Sequence, residues 1–353
     1  PSPSRTGTAS PATDGRSGSA TAAPRAGGAP PRRPSLRSVD LPLPTGSFTY
    51  ATGKDAIPAI TDPAFGRDLS GVTVPGYTGE AATPRLDPDD AVVGVGRGGE
   101  ARAYPLRVLD RHEVVNDSFD GPLLVTYCPL CGAALAAIRR VRGEATVFGV
   151  SGRLWRNDLV LYDRLTGSYW SQLLATAVRG PATGERLALV PATLTTWAAW
   201  RGEHPDTRVL RPPPDSGTIT GEQAGYYVGD TYAPYESSRL IGVTGRQAPD
   251  APLHPKTRVL GVTAGATAVA YPKPAVADAG GVVNDAVGDV PVVVALGPDG
   301  TLAGYDRRVG GETLQFADAP GGHLRAGGSR WRVVTGEAVD GPHEGTALSP
   351  ATP

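Results

Sequence analysis

The chain has 353 residues, of which 40% are apolar and 20% charged, and its net charge is −1. This length allows two domains with real cores. The balanced charge gives no overall field that would draw the protein to nucleic acid or to an anionic membrane surface. Glycine (47 residues) and proline (35 residues) are abundant, which indicates many turns and short strands rather than long helices. No apolar run reaches about 18 residues, so we expect no membrane span.

Residues 1–47 are rich in Pro, Ser, Thr, Ala, Gly and Arg and contain few apolar side chains. Such a segment cannot bury enough apolar surface to offset the entropy lost on ordering, so we predict a disordered linker over 1–47. The chain also contains no methionine, which favours a tether left after removal of a signal or anchor segment. The sequence therefore predicts an extracytoplasmic protein, secreted or associated with the cell envelope. A cytosolic protein with a flexible tail is the alternative.

Two parts of the chain repeat each other. Residues 90–118 and 257–286 share a β-rich run, a glycine turn, a second run that ends in Ala-Tyr-Pro, and then Val-Val-Asn-Asp. Residues 167–187 align in the same way with residues 328–348. A match over two separate stretches predicts a tandem duplication of a β-sheet or barrel-like unit.

The predicted fold is mainly β, with few short helices. We assign the first β-rich repeat to residues 48–215 and the second, which is short at its C-terminal end, to residues 225–353. Short alternating runs bounded by Gly and Pro predict strands, and residues 90–105 predict a hairpin with Gly-Arg-Gly-Gly at its turn. The best helix candidate begins near Thr193 or Thr195, either of which could cap it.

Cys128 and Cys131 are the two cysteines of the chain and lie in the string Tyr-Cys-Pro-Leu-Cys-Gly. A C-x-x-C can open a helix, where the thiolate is stabilised for redox chemistry. It can also form a tight knuckle in which both sulfurs face a metal ion. The second repeat has Gly-Pro-Asp-Gly at this place (residues 297–300), a strong β-turn sequence. Because two copies of one fold share their backbone shape, we predict that the cysteines lie on a hairpin turn.

His112 adds a third possible ligand. The second repeat keeps the Val-Val-Asn-Asp string but has two glycines in place of His112 and Glu113, and it lacks both cysteines. The joint loss is expected if the three residues form one site. We therefore predict a metal site built by His112, Cys128 and Cys131. Copper is the first choice because thiolate suits Cu(I) and imidazole suits both copper states, and zinc is the second. Its role would be redox chemistry or metal handling.

Two other functions remain open from the sequence. The cysteine pair could be a thiol–disulfide oxidoreductase that exchanges electrons with substrate thiols. It could instead be a structural clasp in a non-enzymatic envelope module. Whether the protein is an enzyme, and what its substrate or partner is, the sequence does not specify.

Further polar and aromatic residues are candidates for lining a pocket: Glu113, Asn116, Tyr127, Ser151, Arg153, Asn157 and Trp170. Trp170 and Asn116 recur in the second repeat as Trp331 and Asn284. Recurrence favours scaffold roles, and for Asn116 a role in binding backbone. The sequence has no G-x-S-x-G around Ser151 and no dinucleotide or phosphate-binding fingerprint.

The strings His-Glu-Val-Val-Asn-Asp (112–117) and Tyr-Cys-Pro-Leu-Cys-Gly (127–132) carry a resemblance to a known family. Together with residues 148–172 and with His-Pro-Asp-Thr-Arg-Val-Leu, they resemble a large bacterial and archaeal family of exported proteins catalogued only as a domain of unknown function. The similarity covers about residues 55–350. It implies export, and it implies no particular activity.

Overall fold

The computed structural model describes residues 39–76, 79–222, 227, 232–247 and 251–351. Most of the predicted linker lies outside the described residues. Its last part packs against the rest of the protein, because Leu43 is buried and its backbone N–H donates to Val178 O at 2.8 Å. The guanidinium of Arg179 also donates to Leu43 O at 2.7 Å. Leu43 is therefore part of the packed structure, although the predicted linker over 1–47 includes it, and a linker over the preceding residues stays a prediction.

The fold is mainly β, as predicted, with four short helices in the described residues. The helices are α1 (Leu106–His112), α2 (Trp197–Glu203), α3 (Ala233–Glu236) and α4 (Lys273–Asp278). The strands up to residue 218 are β1 (Thr49–Tyr50), β2 (Ile60–Asp62), β3 (Ala64–Gly66), β4 (Val74–Pro75), β5 (Ala81–Ala82), β6 (Ala91–Arg97), β7 (Glu100–Pro105), β8 (Val114–Ser118), β9 (Pro122–Cys128), β10 (Ala133–Ile138), β11 (Arg140–Val141), β12 (Glu144–Ala145), β13 (Phe148–Trp155), β14 (Asp158–Asp163), β15 (Tyr169–Ser171), β16 (Thr176–Arg179), β17 (Leu189–Val190), β18 (Thr193–Thr196), β19 (Arg208–Arg211) and β20 (Gly217–Thr218). The later strands are β21 (Leu240–Ile241), β22 (Arg246–Gln247), β23 (Val259–Ala264), β24 (Thr267–Pro272), β25 (Val282–Val287), β26 (Val290–Leu296), β27 (Leu302–Asp306), β28 (Arg308–Val309), β29 (Glu312–Thr313), β30 (Ala317–Ala319), β31 (His323–Ala326) and β32 (Ser329–Arg332).

Three large sheets and the two small hairpins β4-β5 and β11-β12 form the first half, which we define as residues 48–215 with the flanking strand β20. A six-stranded sheet has the order β17-β10-β9-β8-β2-β20, and two five-stranded sheets have the orders β18-β6-β7-β19-β3 and β1-β13-β14-β15-β16. Side chains of β6, β7 and α1 share one apolar cluster, the first core, with one face of the six-stranded sheet. Side chains of β13, β14 and β15 share another, the second core, with its other face. The six-stranded sheet is therefore the middle layer, buried on both faces.

Strand β9 shows this double burial most directly. Val125 and Tyr127 belong to the first core, whereas Leu124 and Cys128 belong to the second. Successive side chains of a strand point to opposite faces, and a strand covered on both faces is apolar throughout. This explains why Pro122–Cys128 reads as a continuous apolar run rather than as an alternating one.

The second half, residues 225–353, contains smaller sheets in the same chain order. A β23-β24 hairpin is followed by α4 and by the sheet β25-β26-β27, just as the β6-β7 hairpin is followed by α1 and by β8, β9 and β10. The small hairpins β11-β12 and β28-β29 come next, and then β13 to β15 and β30 to β32.

One asparagine occupies an equivalent position in each half. The Asn116 amide donates to Phe148 O at 2.8 Å and accepts from Phe148 N at 2.7 Å. The Asn284 amide makes the same two bonds to Phe316, at 2.8 and 2.9 Å. Each asparagine thereby joins the start of the third sheet of its half to the central one. The predicted duplication stays a prediction, and these paired bonds support it.

Helix α2 begins slightly later than predicted. Thr196 is the N-cap, since its side chain accepts from Ala199 N, whereas Thr193 and Thr195 lie in strand β18. Because Thr193 and Thr195 pair with β6 as part of strand β18, the helix begins only after Thr196. The hairpin of β6 and β7, with Gly98 and Gly99 at its turn, agrees with the prediction.

Replacing either asparagine with alanine tests the bridge. Asn116 is fully buried and also donates to Ile60 O at 3.2 Å, whereas Asn284 is partly exposed. A buried group left without its hydrogen bond costs roughly 1–3 kcal/mol. We therefore expect Asn116→Ala to reduce the free energy of unfolding more than the matched Asn284→Ala, as measured by urea denaturation. Equal losses would contradict the assignment of Asn116 as the stronger bridge.

Candidate functional site

Cys128 and Cys131 lie at the tight turn between β9 and β10, as predicted. They are joined by a disulfide, with their Cα atoms 5.5 Å apart. Cys128 ends β9 opposite Ala133, so the turn contains four residues, and Gly132 adopts φ +60° at its end. Glycine is needed there because a left-handed backbone is costly for other residues. The two sulfurs differ in access, since Cys128 is 1% exposed and Cys131 lies on the surface.

The second half forms the corresponding turn without sulfur. Strands β26 and β27 are joined through Gly297 to Thr301, closed by bonds from Gly297 N to Thr301 O at 2.8 Å and from Gly300 N to Gly297 O at 2.9 Å. The Asp299 carboxylate accepts from Thr301 N at 3.2 Å and from Thr195 Oγ1 at 2.9 Å. Backbone and side-chain hydrogen bonds thus hold this turn in place.

Three neighbouring segments contact the cysteine turn. The Asn157 carbonyl oxygen, in the hairpin loop between β13 and β14, lies 3.9 Å from Cys128 Sγ. The Gln172 amide donates to Ala133 O at 3.1 Å. Tyr235, in α3, donates through its hydroxyl to Leu130 O at 3.2 Å.

Tyr235 is itself held firmly. Its hydroxyl accepts from Gly242 N at 2.9 Å, and Lys256 Nζ lies 3.4 Å from the centroid of its ring. Gly242 packs so closely on the Asn157 side chain that a Cβ there would lie 1.9 Å from its Oδ1. Tyr235 and Gly242, near the start of the second half, therefore brace the cysteine turn from outside.

His112 is fully buried and both of its ring nitrogens are engaged. Nδ1 lies 2.6 Å from Pro58 O, and because a carbonyl can only accept, Nδ1 carries the proton. Nε2 is then the acceptor for the Tyr227 hydroxyl at 2.7 Å. Burial lowers the pKa of His112 to about 4, so the ring is neutral at pH 7.

The three predicted metal ligands are not brought together. Tyr227, the partner of His112, belongs to the first core, whereas Cys128 belongs to the second, on the opposite face of the middle sheet. The His112 lone pair is used by Tyr227, and the sulfurs are bonded to each other. Within the described residues, no three His, Cys, Asp or Glu side chains form a group that could hold a metal ion. This geometry does not fit the predicted copper or zinc site.

Glu113 is the most unusual titratable residue near the turn. It follows α1 with φ +57°, and its backbone O accepts from Tyr127 N at 2.9 Å. Its side chain is buried, and Oε2 has no hydrogen-bond partner among the described residues. Burial, with a smaller contribution from Asp110, raises the pKa of Glu113 to about 8. The carboxyl is therefore mostly protonated at pH 7.

The other predicted pocket residues fall at different places. Trp170 and Tyr127 are core residues, and Trp170 Nε1 donates to Asp163 Oδ2 at 2.9 Å. Ser151 is buried at a bulge in β13, where its hydroxyl donates to Val160 O. Arg153, in the same strand, has its guanidinium 5.9 Å from the centroid of the Tyr169 ring.

Asn157 is the pocket candidate whose backbone oxygen lies 3.9 Å from Cys128 Sγ. With Arg156 it forms a two-residue hairpin loop in which both residues have positive φ, the geometry of a type I′ turn. Asp158 follows it, buried, and accepts from Ser171 Oγ at 2.5 Å and Leu173 N at 3.1 Å. Burial raises the pKa of Asp158 to about 6.

Two clefts of the described structure are lined by residues other than the predicted metal ligands and pocket residues. One of about 270 Å³ opens in the second half at the glycines that replace His112 and Glu113, with Leu296 and Pro298 in its wall. One of about 300 Å³ is lined by polar groups of the first half: Lys54, Asp55, Tyr162, Asp163, Arg164 and Gly167, with Ile219. Neither is lined by any residue of the predicted site.

Tyr227 and Tyr235 were not predicted as site residues. Four of the twelve tyrosines of the chain, at positions 226, 227, 232 and 235, lie close together at the start of the second half, and this clustering was the available signal. The sequence does not reveal that Tyr227 binds His112 or that Tyr235 binds the cysteine turn, because both contacts join residues more than 100 positions apart.

The comparisons with known proteins place the chain in a family. Residues 54–352 match the family described as "Protein of unknown function (DUF3179)", and the chain belongs to it. Comparison with curated proteins and with solved structures gives no match. In the part of the chain that the structure describes, no helix is both long enough and apolar enough to cross a membrane.

The raised pKa of Glu113 predicts a pH-dependent stability. Between the ordinary pKa of 4.5 and the folded value of about 8, the unfolded chain loses this proton while the folded protein keeps it. The free energy of unfolding must therefore fall as pH rises through this window. Asp158 (about 6) contributes little above pH 6.5, whereas His112, whose pKa falls from 6.5 to about 4 on folding, adds a smaller opposing gain that fades by about pH 7.5 as the unfolded imidazole loses its proton. Both titrations are shared by wild type and Glu113→Gln, so the difference between these two proteins isolates Glu113.

Urea denaturation from pH 6.5 to pH 8 measures this effect. Wild type should lose stability over this range, and Glu113→Gln, which keeps the shape without the ionisation, should lose much less. The matched change Glu100→Gln, at an exposed residue of β7, should give the same change in the free energy of unfolding with pH as wild type. A Glu113→Gln slope equal to that of wild type would show that Glu113 ionises normally.

Proposed function

We propose that the protein is a thiol–disulfide oxidoreductase whose redox centre is the Cys128–Cys131 pair. The observation that carries the proposal is the contrast between two corresponding turns. Cys128 and Cys131 close a hairpin turn with a disulfide, whereas the turn at 297–301 has the same place in the second half and contains no sulfur. A disulfide is thus not required to close a hairpin at this place in the fold.

The structural benefit of this disulfide is small on physical grounds. In the chain-entropy account, a cross-link that closes so short a loop restricts the unfolded chain by only about 2 kcal/mol. The hydrogen bonds from Gln172 and Tyr235 already hold the turn from both sides. A clasp would therefore add little, which favours a chemical role for the sulfurs.

The difference in access of the two sulfurs sets the order of the reaction. A substrate thiolate attacks the exposed Cys131 Sγ, the bond to Cys128 Sγ breaks, and Cys128 leaves with the electron pair as a thiolate. A second substrate thiolate then attacks the substrate sulfur of the mixed disulfide and releases Cys131. Two substrate thiolates become one disulfide, and the cysteine pair gains two electrons. Once Cys128 has taken a proton from solvent, the carbonyl of Asn157 can accept a hydrogen bond from its thiol.

An extracytoplasmic location suits this chemistry. Disulfides persist in oxidising compartments, and the Pro-, Ser- and Ala-rich start of the chain supports export. Both points support the proposal that the protein works outside the cytoplasm. Copper or zinc stays a sequence prediction, and the engaged nitrogens of His112 argue against it in this arrangement.

A redox titration tests the proposal. The protein is equilibrated with dithiothreitol buffers of defined ratio, free thiols are alkylated, and the modified fraction is measured by mass spectrometry. We expect one reversible two-electron transition, with Cys131 alkylated faster than Cys128 after brief reduction, because Cys131 is exposed. The reduced protein should also reduce a small disulfide probe catalytically in the presence of a dithiol.

Single variants supply the controls. Cys131→Ser should abolish reduction of the disulfide probe. Cys128→Ser, mixed with the probe before any dithiol is added, should keep half of the probe as a mixed disulfide at Cys131, because the Cys128 thiolate that would displace it in the reducing direction is absent. Asn157→Ala should keep the transition and shift its potential, since the carbonyl remains but the side chain that packs on Gly242 is lost. A pair that is not reduced by excess dithiothreitol in the folded protein would contradict the proposed function.

A further inference from the structure

We infer that strand β25 of the second half is an acceptor edge for an extended segment of a partner polypeptide, which adds to it as a parallel β-strand. The inference is independent of the redox chemistry. It rests on a template within the same chain, because the corresponding edge in the first half, that of β8, already carries such a strand.

The template is the pairing of β2 with β8. The two strands run parallel, with Ile60 opposite Val115. Ile60 is fully buried, as is Val115, and both belong to the first core. The Asn116 amide donates to Ile60 O at 3.2 Å in addition to its bond with Phe148. A backbone pair, an apolar contact and a side-chain bond thus hold the added strand.

The second half keeps the acceptor side of this arrangement. Val283 and Asn284 of β25 correspond to Val115 and Asn116, and β25 pairs with β26 as β8 pairs with β9. The two bonds between Asn284 and Phe316 fix its amide in the orientation of Asn116. The bond that Asn116 makes to a strand carbonyl has no counterpart at Asn284 in the described residues.

The edge of β25 is correspondingly open in the described part of the second half. There the sheet contains only β25, β26 and β27, with β25 at its margin. Residues 282–285 are partly exposed, whereas residues 114–117 are all buried. Val283 lies at the rim of an apolar cluster that includes Val262, Tyr271 and Val276. No described strand lies on the open side of β25 to give this cluster an equivalent of Ile60.

The sequence of β25 offers little protection against strand addition. Edge strands are commonly blocked by Lys, Pro or a bulge, and Val-Val-Asn-Asp-Ala-Val contains neither residue and pairs without a bulge. Its charged residue, Asp285, is engaged by the Tyr271 hydroxyl at 2.9 Å. The edge therefore favours a partner segment that is extended and has a branched apolar residue to lie opposite Val283. The carbonyl of that residue would accept from Asn284.

A peptide of residues 57–66, Ile-Pro-Ala-Ile-Thr-Asp-Pro-Ala-Phe-Gly, is the probe, because it contains the strand that adds to β8. Hydrogen exchange of the full chain is measured by mass spectrometry with and without about 1 mM peptide. We expect exchange in residues 282–287 to slow by about tenfold or more, while exchange in β8 is unchanged. The same peptide with Ile60→Asp should give no protection, and this control leaves the protein itself unaltered.

The protein variant Asn284→Asp removes the amide donor and should weaken the protection by wild-type peptide. The thermal unfolding midpoint of this variant is measured in parallel, so that a loss of folded structure can be distinguished from a loss of peptide binding. Three results would overturn the inference: no protection at β25, equal protection by the Ile60→Asp peptide, or protection of β8 alone. Protection of β25 that rises with protein concentration in the absence of peptide would show that a second copy, rather than another polypeptide, occupies the edge.

Discussion

The double burial of the middle sheet is the constraint on which the rest of the structure depends. Each strand in it points alternate side chains into two separate cores, so neighbours in sequence belong to different environments. Tyr127 lies in the first core and Cys128 in the second. The buried His112 and its partner Tyr227 are on the first-core side, and the disulfide is not. The imidazole of His112 is bonded to Pro58 O and to Tyr227 of the first core, whereas Cys128 lies in the second core and is bonded to Cys131.

The redox proposal follows from what that separation leaves at the turn. Because His112 lies elsewhere, the turn offers only the two cysteines, of which Cys128 is buried and Cys131 is exposed. The turn lies between the Asn157 loop and Tyr235. The corresponding turn at 297–301, which is one residue longer, shows that hydrogen bonds alone can close a hairpin at this place in the fold. The same internal comparison points to β25, where the second half retains Asn284 and an open edge in the described residues. One chain thus provides its own control for both proposals.

Much of the fold could be predicted from sequence because its signals are local. The Gly98-Gly99 turn, the cysteine hairpin and the mainly β class follow from glycine placement and β-branched runs. The metal site could not be judged in this way, because joint absence from the second half does not reveal which face each residue occupies. Helix α1 was not predicted, since its seven residues are too few for a clear helical period. Its C-cap Glu113 has a left-handed backbone at a residue other than glycine, which sequence patterns do not anticipate.

The central claim is that the backbone of the cysteine turn is set without the sulfur–sulfur bond, which leaves that bond free for chemistry. Thermal unfolding of the oxidised and the fully reduced wild-type protein, followed by circular dichroism, tests it most directly. The account predicts midpoints within about 5 °C of each other and a single shared folded spectrum. A reduced protein that has lost its β structure, or that unfolds far below the oxidised one, would identify the disulfide as a structural clasp and contradict the account.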